Sequence, residues 1–155
     1  MNMLTRIRTS PIPWWVNLLV LALVAFMAIQ VVWNYFDNQV LLDSGITIQG
    51  DPDQNVIYTT AGRLVAMIAA SLLVLFTQNP AQFVVVMFMS AIREAQEGVI
   101  DPLYPMADAP FSPTVDFLVH VVIVAAEVAA LVVVYRIATR QHASPELQAE
   151  GAPVS

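Results

Sequence analysis

Four long, mainly apolar stretches of the chain are separated by short polar segments, the third strictly apolar only to Ile92 before Arg93-Glu94-Ala95-Gln96-Glu97. They run over about 14–35, 58–77, 81–97 and 114–135. None shows the period-2 alternation of a strand or the narrow stripe of an amphipathic surface helix. A helix apolar all round needs lipid or a large protein core, and 155 residues cannot bury four such helices. The pattern therefore predicts an all-α fold, an integral membrane bundle of four antiparallel helices in one domain over 14–136.

The punctuation between the stretches fits this plan. Pro11 and Pro13 precede the first, whose ends carry Trp14, Trp15, Trp33 and Tyr35, where aromatic rings favour the headgroup region. A polar segment over 36–57 follows, holding Asp37, Asp43, Asp51 and Asp53. Within it, Ile46-Thr47-Ile48 and Val56-Ile57-Tyr58 flank a Gly/Asp/Pro-rich turn, which predicts a small hairpin. Gln78-Asn79-Pro80 predicts a tight turn, with Asn79 as helix cap and Pro80 as first helical residue. A second acidic segment over 98–113, with Asp101, Asp108 and four prolines, predicts irregular surface structure. Residues 137–155 have no apolar periodicity and read as a disordered tail.

Composition sharpens the picture. Hydrophobic residues make up 58% of the chain and charged residues only 12%, with a mean hydropathy of +0.69. The net charge of −6 belongs mostly to the connecting segments. All six basic residues are arginine, and no basic patch exists, which argues against nucleic-acid binding. Without cysteine the chain has no disulfide, thiolate metal site or thiol nucleophile. The first stretch is longer than the apolar region of a secretory signal and no small-x-small site follows it, so it reads as an uncleaved first span.

Arginine sets the orientation. Arg6 and Arg8 precede the first span, and Arg136 and Arg140 follow the fourth. The positive-inside rule puts both pairs, residues 1–13 and the tail in the cytoplasm, with the two acidic segments outside. The location expected is a cell membrane of the bacterial inner-membrane kind, with lipids as neighbours and a homodimer or membrane complex as the assembly.

A few polar residues break the apolar runs. Asp116, His120 and Glu127 fall within about 40° on one helix face, with Ile123 on the same stripe. Lipid would penalise that face, so it should point into the bundle. There it can fix packing by interhelical hydrogen bonds, relay protons or bind a polar group. Arg63 and Arg93 stand near the outer ends of neighbouring spans. They can snorkel to headgroups, pair with Glu94, Glu97 or Asp116, or bind an anion together. Gln82, Met89, Arg93 and Glu97 on the third span, facing Arg63, Met67 and Ser71 on the second, suggest a polar pocket opening outward. Ala66 with Ala70, Ala125 with Ala129, and Ala126 with Ala130 are pairs that let helices approach closely.

Other signals fail on inspection. Asp51-x-Asp53-x-Asn55 imitates the start of a calcium loop, but Pro52 interrupts it and Val56 and Gly62 replace the required glycine and acid. No residues are assigned to a metal. A single intramembrane histidine argues against haem within one protomer, which leaves quinone or lipid as candidate ligands. No Walker loop, dinucleotide turn or nucleophile elbow is present, and no catalytic residue is assigned.

The layout resembles the DoxX-like group of small four-helix membrane proteins. The resemblance rests on the long segment after the first span and Ala61-Gly62-Arg63-Leu64 opening the second. Thr77-Gln78-Asn79-Pro80 at the short turn, Arg93 closing the third span and Glu127 in the fourth complete it. It implies a four-helix membrane fold and, for some members, association with quinone-linked or redox complexes. Two functions follow: a non-catalytic accessory subunit or binder of a lipid or lipophilic molecule, or a subunit of a redox or proton-translocating system using the His/Glu stripe.

Overall fold

The computed structural model describes residues 10–43, 45, 48–105 and 111–150. These residues are all-α, with helices α1 (Trp14–Phe36), α2 (Asn38–Asp43), α3 (Asp51–Thr77), α4 (Pro80–Leu103) and α5 (Pro113–Glu150). Three segments, Trp14–Phe36, Asp51–Thr77 and Pro113–Gln141, are long and apolar enough to cross a membrane. At most 28% of any of these spans is buried. Leu18, Leu73, Phe88 and Val122, for example, point outward, which is the profile of a multi-pass membrane protein.

The 77–80 turn forms as the sequence expects. The Asn79 side chain accepts a hydrogen bond from the Ala81 N–H at 3.0 Å, and Pro80 opens α4. Gln78 ends α3 in the left-handed conformation (φ 54°), donating its N–H to the Val74 carbonyl at 2.8 Å.

Three expectations change. Where a hairpin was expected, α3 starts at Asp51 and carries Val56, Ile57 and Tyr58; Ile46 and Thr47 lie outside the described residues. The cause is local: Gly50 adopts φ 112°, Pro52 suits the first turn, and Asp51 and Asp53 complement the helix N-terminus. The Asp53 carboxylate also accepts from the Gln49 N–H at 2.6 Å. A Gly-Asp-Pro-Asp run starts helices as readily as it turns strands. The imitation calcium loop is thus the first turn of α3. Second, α4 does not stop near Glu97 but runs to Leu103. Pro102 has no N–H for the Gly98 carbonyl, which weakens the last turn and ends the helix soon after. Third, α5 continues to Glu150, where an irregular tail was expected. Arg6, Arg8 and Asp108 lie outside the described residues.

The helices associate as two pairs, α1 with α3 and α4 with α5, each pair packed far more extensively than the two pairs are on each other. They meet at the end that holds the 77–80 turn. There Val16 and Val20 of α1, Val74 and Leu75 of α3, Phe83 and Met87 of α4, and Ala130 and Val134 of α5 form one buried cluster. Gln78 reaches across to α1, donating to Asn17 Oδ1 at 2.8 Å, with both side chains buried. At the other end the pairs separate. Val24, Met27 and Leu64 pack α1 on α3 alone, while α4 and α5 are joined there through polar side chains.

Candidate functional site

Ser90, Glu94, Glu97 and Asp101 recur at spacings of four, three and four residues, so they share one face of α4. Asp116, His120 and Glu127 form the matching stripe on α5. The helices are antiparallel, so the stripes meet in opposite order. Ser90 faces Glu127, Glu94 faces His120, and Asp101 approaches both His120 and Asp116.

Glu127 is fully buried. Its Oε1 accepts from the Ser90 hydroxyl at 2.6 Å, while its Oε2 has no hydrogen-bond partner. Ser90 itself is buried, so the pair is sealed within the helix interface.

Glu94 is the centre of the second contact and is only 3% exposed. Its Oε1 lies 2.7 Å from His120 Nδ1 and its Oε2 lies 3.1 Å from Arg93 Nη2. An ionised carboxylate can only accept, so Nδ1 carries the proton and both carboxylate oxygens are satisfied. Arg93 turns its other terminal nitrogen to Glu97 at 3.0 Å. Arg93 therefore serves as counter-ion to two acids on its own helix.

The outer face of the imidazole looks onto two more carboxylates. His120 Nε2 lies 3.5 Å from Asp101 Oδ2 and 3.7 Å from Asp116 Oδ2. One ligand atom from each of the three residues falls within a 4.8 Å group. Gly98 makes this arrangement possible, because a Cβ there would stand 2.8 Å from His120 Cβ and 3.3 Å from Cγ. Glycine lets α4 approach at the level of the ring.

Beside the polar seam lies a groove of about 340 Å³ on the outside of the α4–α5 pair. Its walls include Gly98, Phe117, Val121, Val124 and Val128, and His120 is the polar residue among them.

The expected α5 stripe is thus turned inward and assembled. The expected pocket between the second and third spans is not assembled, because α3 packs mainly on α1 and α4 on α5. Arg63 is exposed on α3 and does not share a site with Arg93; Gln82 and Met89 are exposed, while Met67 and Ser71 are half-buried and buried on α3. Of the small-residue pairs, Ala130 is buried in the core and Ala126 is half-buried, whereas Ala66, Ala125 and Ala129 are exposed. Ser90 and Asp101 were missed as site residues. Their signal is the Ser90/Glu94/Glu97/Asp101 spacing, which shares Glu97 with the adjacent stripe through Arg93.

No protein-family model, curated protein or solved structure matches this chain.

Proposed function

We propose that this chain is a non-catalytic multi-pass membrane protein, an accessory subunit or binder of a lipid or lipophilic small molecule. The observation that carries this reading is the groove: an apolar cleft on α4 and α5 with one polar side chain, His120, in its wall. Apolar walls bind a hydrocarbon or isoprenoid body, and a single polar group orients its head. Ala125→Trp would fill the groove from its rim without touching the polar seam. Native mass spectrometry of gently solubilised protein should find a lipophile on the natural chain and not on this variant. Equal retention in a folded variant would refute the groove as the site.

The same reading includes four spans, both termini cytoplasmic, and the resemblance to DoxX-like proteins in layout. α4 is the span that decides orientation, because it is not among the three most apolar helices. Its 24 residues reach about 36 Å, enough to cross, and Glu94, which lowers its hydropathy, is buried against α5. Single cysteines at Ser10, Gln49 and Gln141 in this cysteine-free chain test it with a membrane-impermeant maleimide on intact cells. Gln49→Cys alone should label from outside. Labelling of Gln141→Cys from outside would mean three spans.

The second reading, a membrane subunit of a redox or proton-translocating system, is favoured by one observation: Glu127 is sealed at the helix interface with an unpaired carboxylate oxygen. A stoichiometric quinone or haem on the purified protein would favour it. Lipid alone would favour the first reading.

A further inference from the structure

We propose that Asp101, Asp116 and His120 form a binding site for a divalent transition-metal ion of the zinc class. The site lies where the C-terminal end of α4 crosses the start of α5. It shares His120 with the groove, but neither aspartate lines that cleft, so aspartate variants distinguish the two.

Three observations converge on it. The first is spacing. Nε2 of His120 is 3.5 and 3.7 Å from the two aspartate oxygens, longer than ordinary hydrogen bonds. A tetrahedral ion with bonds of about 2.0–2.2 Å holds its ligands roughly 3.3–3.6 Å apart. The two distances from Nε2 lie close to such an edge, and all three donors fall within 4.8 Å of one another.

The second is orientation. The buried Glu94 Oε1 lies 2.7 Å from His120 Nδ1; with Nδ1 as the donor there, the Nε2 lone pair faces Asp101 and Asp116. A carboxylate behind a histidine in this way fixes the tautomer and raises the ring's basicity toward a metal. Gly98 packs against the ring's Cβ and Cγ, so the imidazole is seated from that side as well.

The third is charge. Glu94, Glu97, Asp101 and Asp116 gather around one guanidinium, Arg93, which is already committed to Glu94 and Glu97. The two aspartates thus have no arginine of their own in the cluster. One imidazole with two carboxylates suits zinc and its first-row neighbours better than calcium or magnesium, which favour all-oxygen sets. Asp101 is 44% exposed, so the site opens on one side, where a fourth ligand can enter.

The test is calorimetric titration of the full-length, detergent-purified and chelator-stripped protein with zinc chloride. One zinc per chain is expected. Asp101→Asn and Asp116→Asn, both partly exposed and isosteric, should each weaken it about 10–100-fold, the range typical of losing part of a metal site's support. Asp51→Asn, in the first turn of α3 and outside the three-residue group, should leave it unchanged. Cobalt(II) gives a second reading: visible bands expected with the natural chain and absent from His120→Ala. Absence of binding at millimolar zinc, or binding unaffected by both aspartate variants, would overturn the proposal. Loss of zinc binding with the groove's lipophile retained would separate this site from the groove.

Discussion

Gly98→Ala adds one methyl group at the tightest point between α4 and α5, and the structure sets opposing effects against each other there. Alanine is favoured over glycine within a helix by about 1 kcal/mol. Against this, the new Cβ would sit 2.8 Å from His120 Cβ, a helix-anchored atom with no flexible end to swing away. Overpacking of this kind costs about 1–3 kcal/mol. Displacing the ring also strains its hydrogen bond to Glu94, now 2.7 Å, and a bond to a charged group is worth about 1.5–3 kcal/mol. The net expectation is destabilisation by about 1–3 kcal/mol, with the steric and hydrogen-bond losses outweighing the propensity gain. Gly62→Ala is the control, since a Cβ there meets nothing nearer than the Tyr35 hydroxyl at 3.8 Å. That variant should be neutral or gain up to about 1 kcal/mol. Unfolding both in mixed detergent micelles against the natural chain measures the difference. Equal stability of the two alanine variants would refute the close approach at Gly98.

Other perturbations bear on the same seam. Ser90→Ala removes the one hydrogen bond to Glu127, and leaving that buried carboxyl unsatisfied should cost about 1–3 kcal/mol. The swap Ser90→Glu with Glu127→Ser should recover part of the loss, and strictly additive losses in a double-mutant cycle would refute the pairing. Arg93→Ala strips the counter-ion from Glu94 and Glu97 and should cost about 3 kcal/mol, the low end for a broken buried pair, because Glu94 keeps His120. A detergent thermal-shift series measures it, and a loss no larger than for Arg63→Ala would be inconsistent with the network. Asn79→Ala removes the α4 cap and should cost about 1 kcal/mol, read as a lower unfolding midpoint.

What could be read from the sequence divides along a physical line. Features written within one helix or one turn were legible. The Asn79-Pro80 turn needs only its own residues, and the inward face of Asp116, His120 and Glu127 needs only a period of 3.6 and the aversion of lipid to charge. Features that depend on which helix lies beside which were not. Arg63 and Arg93 look like neighbours because their spans are consecutive, yet α3 and α4 meet far less extensively than each meets its own partner helix. Asp101 looked like a loop acid because it stands one residue from Pro102, yet the last turn of α4 carries it to His120. The start of α3 was ambiguous for a different reason. Glycine, proline and aspartate serve both turns and helix N-termini, and no local term separates the two uses.

The polar seam also answers a question that the apolar residues leave open. In water, burying Phe83 or Met87 would itself drive association. In lipid the tails are as apolar as the side chains, so such contacts supply packing without a hydrophobic drive. Valine, leucine and alanine faces would tolerate several registers of α4 against α5. Ser90 with Glu127 and Glu94 with His120 tolerate only the observed one, because a shift by one turn would set unpaired carboxyls against hydrocarbon. The α1–α3 pair has its own specific contact near the separated end, Tyr35 donating to the Tyr58 carbonyl at 3.2 Å with the two rings stacked at 5.3 Å. At the opposite end Gln78, which ends α3, donates to Asn17 of the same pair, beside the apolar cluster that draws on all four long helices. The seam therefore reaches inward only as far as Glu127 before Ala130 and Val134 close the interface. Among the described residues the polar contacts between α4 and α5 run from Asp101 to the buried Glu127 and stop there.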